Sequence, residues 1–428
     1  MKNLLFPIYL LLLSYMGVFA QSSNDGSQDA SDEVAVQKRC HTDEYMVKLS
    51  HTYPDEVLNK EALEAHLNRY IQNGGAINYD KTSNTLIIPV VVHVVHRVTA
   101  ESISSARIQA NIDVLNLDYN RQNLEIPSVP GHYAPLTGSM GIRFELASLD
   151  PTLQMTDGIT YTETTVSSFG LDSKIKYTAQ GGRDIWDRNN YMNIWVCRLN
   201  GSILGYAQLP GGPANTDGIV IDYRYFGGLG TGTLSPYNRG RTATHEVGHW
   251  LGLYHIWGDA TCGDDLVGDT PVQEDANYGC PGYPKITCNN GAVNNTEGGD
   301  MFMNFMDYTN DACMKMFTAG QVSRMTNFLS TPSRAQLLSS YALNRSGVNA
   351  DFAPIRVYPN PSASGMFRLL EDEMNTGGEI VIFDSMGKEL MQLSTAQGSI
   401  DVGAYGKGVY FLKYNSNKGV FHQKLVVQ

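Results

Sequence analysis

The chain has 428 residues, 42% of them hydrophobic and 17% charged, with a formal net charge of −12 at pH 7. That length predicts two or three folded units, and that composition excludes disorder over most of the chain. The acidic balance argues against nucleic acid or an anionic membrane as the main partner, because both reward faces rich in Lys and Arg.

Met1-Lys2-Asn3 gives a positive start, Leu4 to Phe19 is apolar, and Val18-Phe19-Ala20 supplies small residues before Gln21, so residues 1–20 read as a signal peptide. No later run reaches the roughly 20 apolar residues of a membrane-spanning helix. An exported chain without a membrane span is expected, and its six cysteines are free to form disulfides. Residues 21–85 are polar, with an acidic, Ser-rich opening and one helical stretch from Asp55 to Asn73, and read as a pro-segment.

The main domain is expected over 86–345. Leu86 to Val98 (LIIPVVVHVVHRV) is a dense β-branched run, hence a buried strand. Ile108, Ile112, Leu115 and Tyr119 mark one stripe of a helix over Ser104 to Tyr119. Ile142 to Leu149, Met192 to Leu199 and Asp217 to Phe226 read as strands, and a second helix starts at Thr242 after a Gly-rich loop. The predicted fold class is α+β: a mixed twisted sheet with a helix across it, a site helix, and an irregular C-terminal subdomain. A linker over 346–356 leads to residues 357–428. There, short alternating segments (Phe367 to Leu370, Glu379 to Phe383, Ser399 to Val402, Val409 to Tyr414, Lys424 to Val427) describe a small all-β sandwich.

Chemistry concentrates in HEVGHWLGLYH, residues 245–255. His245 and His249 are four apart, so a helix presents both imidazoles to one ion. Gly252 permits the sharp turn that returns His255 as a third ligand. Three neutral histidines leave a fourth position open, the arrangement of a catalytic zinc site, and Glu246 is placed as the base that takes a proton from water.

This motif resembles the long zinc motif of the metzincin metallopeptidases, and Trp250 with Gly252-Leu253-Tyr254-His255 is similar to the pappalysin family among them. Asn304-Phe305-Met306-Asp307-Tyr308 resembles that family's methionine-bearing turn. The resemblance covers residues 86–343. It implies a zinc endopeptidase acting on proteins or peptides, with Met306 beneath the metal and Tyr308 as a phenol for the reacting carbonyl oxygen. A structural hydrogen bond within the turn is the alternative for Tyr308. Such peptidases bind substrate as an added strand, and Asp217 to Phe226 is the expected edge, an internal strand being the alternative. Asp311 is expected to line the pocket for the residue after the scissile bond, preferring Arg or Lys there; a solvated loop acid is the alternative.

The loop Cys262 to Pro271 carries oxygen-bearing side chains among glycines, which suits calcium. Similarity to calcium-binding pappalysins implies the same, with Asp265, Asp269 and Thr270 contributing; an acidic loop without metal is the alternative. Cys262, Cys280, Cys288 and Cys313 allow three pairings, of which family likeness implies Cys262 with Cys288 and Cys280 with Cys313. Cys197 is expected as a buried, inert thiol. Cys40 lies in the pro-segment behind Lys38-Arg39, whose charge is expected to favour its thiolate, and would fill the fourth zinc position of a latent form, like the switches of other metzincins. A disulfide with Cys197 or an idle thiol are the alternatives, with Asp43 or Glu44 next in line to cover the metal. His93, His96 and the other scattered histidines are expected as core or surface residues.

The tail quotes Tyr358-Pro359-Asn360-Pro361, Gly387-Lys388, Lys407-Gly408-Val409-Tyr410 and a closing Lys424-Leu425-Val426-Val427-Gln428. In this order they resemble the C-terminal sorting domain of the type IX secretion system, which implies that machinery as a partner and export beyond both membranes. A carbohydrate- or protein-binding sandwich is the alternative. An adhesin built on an inactive metzincin scaffold would show a substituted base or ligand, and here all four residues are present.

Overall fold

The computed structural model describes residues 38–73, 86–289, 298–331, 334–340, 342–343, 356–358, 360–370, 378–384, 388–394, 399–416 and 419–428. The expected signal peptide, linker residues 346–355, Pro359 and Gly387 lie outside them. Among the described residues no helix is long and apolar enough to cross a membrane.

An N-terminal arm holds two helices where one was expected, α1 (Thr42–Thr52) and α2 (Lys60–Gln72). The Asn59 side chain accepts from Ala62 N at 2.8 Å and starts α2 five residues later than the periodicity suggests. In α1 only Thr42, Tyr45 and Leu49 are buried, too few apolar repeats for a helical stripe to be read.

β1 (Leu86–His96) runs through the centre of the main sheet and is buried along nearly its whole length, as a parallel strand covered on both faces must be. Its first half pairs with β2 (Ile142–Leu146) and its second half with β3 (Ile159–Glu163), while the opposite side pairs with β4 (Met192–Cys197). Beyond β4 come β6 (Ile219–Asp222), still parallel, and then β5 (Gly205–Ala207), antiparallel at the edge. Asp217 to Phe226 is therefore not the edge. Only four of its residues form a strand, paired on both sides, and the true edge is three residues long, below what alternation can reveal.

α3 (Ser105–Tyr119) and α4 (Arg241–Trp250) cover one face of the sheet. There Ile108, Ile112, Leu115, Val247 and Trp250 pack on Val90, Val92 and Val94. On the other face Val95, Trp195, Cys197 and Val220 meet Tyr45 and Leu49 of the arm. α5 (Ala319–Leu329), unforeseen, opens on a reciprocal cap between Thr318 and Gln321. The structure joins Cys262 to Cys288 and Cys280 to Cys313, leaving Cys40 and Cys197 as buried free thiols. His93 is a core residue, its ring nitrogens at 2.8 Å from Thr160 Oγ1 and 3.0 Å from Asn193 Oδ1.

The C-terminal unit has one sheet of β7 (Arg356–Tyr358), β8 (Met366–Leu370) and β11 (Ser399–Asp401), and another of β9 (Glu379–Phe383), β10 (Glu389–Ser394), β12 (Gly408–Ser416) and β13 (Gly419–Val427). Val357, Phe367 and Ile400 from the first share a core with Ile380, Ile382, Leu412 and Leu425 from the second. It is the expected all-β sandwich.

Candidate active site

Every residue of α4 is buried. His245 and His249 stand one turn apart with their Nε2 atoms 3.1 Å from each other. Gly252 then takes φ +91°, and a Cβ there would run into the Phe328 ring, so both the turn and the close approach require glycine. The chain returns with His255 Nε2 at 3.1 Å from His249 Nε2. The outer nitrogens fix the rings: His245 Nδ1 on Phe305 O at 2.7 Å, His249 Nδ1 on Leu253 O at 2.8 Å, His255 Nδ1 on Asp259 Oδ1 at 2.5 Å. Carbonyls and a carboxylate at these positions aim each Nε2 inward and raise its donor strength.

Burial and the neighbouring rings hold His249 down at about 3 and His245 well below the usual imidazole range, so both are neutral. Burial opposes charge on His255 too, but Asp259 and Asp43 outweigh it and hold that ring well above its ordinary value. Beneath α4 the turn 304–308 brings in Met306, fully buried; a Cβ on Gly248 would lie 2.5 Å from its Sδ. Asp307, which sequence reasoning passed over, takes hydrogen bonds from Tyr308 N at 2.7 Å, Asn277 N at 2.7 Å and Gln273 Nε2 at 2.9 Å, and so fixes the turn.

The arm enters this centre. Cys40 Sγ lies with the three histidines, their donor atoms all within 4.8 Å of one another. Sγ is 3.3 Å from Glu246 Oε2, which also accepts from Thr42 Oγ1 at 3.1 Å; Glu246 Oε1 is buried with no partner among the described residues. Burial raises the Glu246 carboxyl to about 7 against the lowering pull of Cys40 and Thr42. Tyr308 Oη donates to the Cys40 carbonyl at 3.0 Å and lies 3.1 Å from His255 Nε2. His41 N donates to Gly205 O at 3.1 Å and Ala207 N to Thr42 Oγ1 at 2.9 Å, so the arm is laid along edge strand β5. Three buried imidazoles, a thiol and an orphaned carboxylate oxygen form a donor set for zinc, not for a hard oxygen-seeking cation.

One expectation and two of the alternatives need correction. Lys38 and Arg39 do not promote the Cys40 thiolate: Lys38 pairs with Glu44, Arg39 with Asp311, and burial together with Glu246 pushes the thiol up to about 12. Asp43 faces His255 Nδ1 at 3.3 Å, the outer nitrogen, and Glu44 turns to Lys38, so neither covers the metal face. Asp311 is no solvated loop acid. It is fully buried, 2.7 Å from Arg39 Nη2, and accepts from Arg239 N at 2.7 Å and Arg241 N at 3.2 Å.

In the loop behind the site, Asp265 is buried with Oδ1 accepting from Thr270 Oγ1 at 2.7 Å and Val267 N at 3.1 Å, and Oδ2 without a partner among the described residues. Asp269 instead turns both oxygens to α5, accepting from Thr318 Oγ1 at 2.6 Å and Gly320 N at 2.7 Å.

Residues 176–330 match the family model described as pregnancy-associated plasma protein-A, and residues 356–428 the one described as secretion system C-terminal sorting domain. An extracellular metalloprotease of Pyricularia oryzae is 33% identical over 252 residues, 57% of this chain and 75% of that protein. Mature mirolysin of Tannerella forsythia in complex with a cleaved peptide is 46% identical with a TM-score of 0.58, over 61% of this chain and 97% of that one. A promirolysin mutant of the same organism is 41% identical with a TM-score of 0.61, over 71% and 98%. Fold, metal centre and tail together define a secreted zinc metalloendopeptidase with a type IX sorting domain. The chain belongs to the pregnancy-associated plasma protein-A family of peptidases, the pappalysins.

Proposed function

We propose that His245, His249 and His255 hold the zinc, that Glu246 and Tyr308 are the catalytic residues, and that the N-terminal arm keeps the enzyme latent with Cys40 as the fourth ligand. The observation that carries this reading is the convergence of Cys40, His245, His249 and His255 in one buried cluster with Glu246 beside the thiol. The corresponding parts are a signal peptide over 1–20, a pro-segment over 21–85, a catalytic domain over 86–345, a linker over 346–356 and the sorting domain over 357–428.

Zinc, when bound, polarises a carbonyl and lowers the pKa of water. The chain's own residues do the rest. Glu246 accepts the proton of the attacking water and passes it to the leaving amine. Tyr308 donates to the oxyanion, a role supported by its bond to the Cys40 carbonyl. Asp311 selects Arg or Lys after the scissile bond, and Arg39 bound to it in the latent form supports that preference. For the loop at Asp265, Asp269 and Thr270 we keep calcium, supported by the unpartnered Asp265 oxygen.

The test is Glu246→Ala in the full chain, matured in trans by the parent enzyme, with metal analysis and peptide hydrolysis. Retained zinc with turnover lowered roughly 10²- to 10⁴-fold is expected. Near-normal turnover would overturn the assignment of the base.

A further inference from the structure

Lys176 carries a buried amino group with no carboxylate in its first contacts; burial brings it down to about 7 against the raising pull of Asp217. Its Nζ donates to Tyr45 Oη at 2.9 Å and to Thr216 O at 2.5 Å, and lies over the rings of Tyr45, Trp195 and Tyr206 at 4.6, 5.1 and 5.7 Å. An unpaired ammonium out of water is costly. Here aromatic faces and two oxygens replace its hydration. One of those oxygens and one of those rings belong to Tyr45, on α1 of the arm, fully buried between Tyr206 at 4.6 Å and Ser173, whose Oγ lies 3.1 Å from Tyr45 Oη. Lys176, Ser173, Trp195 and Tyr206 all lie beyond the arm. Loss of the arm therefore opens a slot with an aromatic wall and with an amino group and a hydroxyl directed at one point, where a phenol oxygen had been.

The slot also lies where a substrate passes. Tyr206 is the middle residue of β5, the sheet edge along which Cys40, His41 and Thr42 run. On either side of it, Gly205 O and Ala207 N are the groups this edge offers to a chain beside it, and because side chains alternate along a strand the Tyr206 ring between them turns to the slot. We propose that the mature enzyme has, beside β5, a subsite for a tyrosine side chain of its protein substrate, built from Tyr206, Trp195, Ser173 and Lys176 and occupied by Tyr45 in the latent form. The inference rests on the reading of the arm as a pro-segment. Phenylalanine would fill the slot but leave the Lys176 amino group and the Ser173 hydroxyl without their partner, and a buried polar site left unpaired discriminates strongly against the ligand that lacks the group.

The test uses enzyme matured from the full chain and peptides that share one cleavage sequence, with a tyrosine moved a residue at a time through the flanking positions. At one position tyrosine is expected to raise kcat/KM roughly tenfold over phenylalanine. In Lys176→Met and Ser173→Ala that tyrosine-to-phenylalanine ratio should fall toward one; being a ratio, it does not depend on the amount of active enzyme, and Ser173→Ala serves if Lys176→Met does not fold. Equal rates for tyrosine and phenylalanine at every position would overturn the subsite. So would a ratio unchanged in Ser173→Ala, or glutamate replacing tyrosine as the favoured residue. Failure of the parent to cut the tyrosine-free peptide would refute the peptidase reading itself, a separate outcome.

Discussion

Arg39 Nη2 and Asp311 Oδ1 are 2.7 Å apart with both side chains closed off from solvent. Arg39 Nη1 adds a bond to Thr309 O at 3.0 Å, and its guanidinium lies 5.2 Å from the Tyr237 ring centroid. A buried charge that loses its partner costs about 3 to 5 kcal/mol, so one carboxylate serves two states. It anchors the arm here, and under the proposed latency it would face the cleft without its cation once the arm is gone.

Asp311→Asn should therefore loosen the arm in the full chain, where Arg39 loses its partner, and in the mature enzyme should change selectivity more than stability. Asn keeps one oxygen for the Arg239 and Arg241 amides but loses the charge. In a cleavage profile of the mature variant, enrichment of Arg and Lys after the scissile bond should disappear, with kcat/KM for an Arg peptide down by about 10²-fold, the equivalent of roughly 3 kcal/mol. An unchanged Arg preference would remove Asp311 from the pocket.

Gly248→Ala sets two effects against each other. Alanine favours a helix over glycine by about 1 kcal/mol. Its Cβ, however, would lie 2.5 Å from Met306 Sδ in a fully buried contact, and overpacking costs about 1 to 3 kcal/mol. The clash should win, lowering both melting temperature and zinc retention. Met306→Ala in the same chain should recover much of the loss, and strictly additive effects of the two changes would show that they do not act through this contact.

The zinc helix, the methionine turn and the tail were legible because each is a local pattern: His at i and i+4, a glycine where the chain must turn, alternating strands between glycines. What the sequence hid is nonlocal. Nothing near Thr42 in the chain announces that its hydroxyl joins Glu246 to the Ala207 amide, and Arg39 reads only as a charge until folding places it against Asp311. The edge strand escaped notice because three residues, Gly205-Tyr206-Ala207, carry no period. Its neighbour looked like an edge because burial on both sides leaves the same apolar run in either case.

Calcium is tested best through pH. Burial raises the Asp265 carboxyl to about 7, above its unfolded value. Such a group contributes stability below its unfolded pKa of about 4 and loses it as pH rises toward 7. In a calcium chelator with zinc supplied, the melting temperature should fall from about pH 4 to about pH 7. Calcium at roughly 100 times its Kd should restore about 2.7 kcal/mol at the upper end. Asp265→Asn should remove both the pH slope and the response to calcium. A melting temperature indifferent to calcium across this range would mean that the loop holds none.

Latency tests the arm most directly. Cys40→Ala in the full chain removes the sulfur from the metal centre while leaving Arg39 on Asp311, Thr42 on Glu246 and Glu64 on Arg324, where Glu64 also accepts from Tyr254 Oη at 3.1 Å. The arm should stay docked but leak, showing peptidase activity before processing and faster loss of residues 38–73. Because Cys40 is fully buried, a thiol reagent reaches it only when the arm opens. Activation of the parent should therefore saturate with reagent concentration at the opening rate, and the alanine variant should not respond. Asp43 and Glu44 cannot take over, since one faces the outer nitrogen of His255 and the other Lys38. A Cys40→Ala chain as latent as its parent would thus mean that the arm blocks the site by occupancy alone. In that case Arg39→Ala combined with Cys40→Ala, which also gives up the buried pair with Asp311, should release the activity that the single change did not.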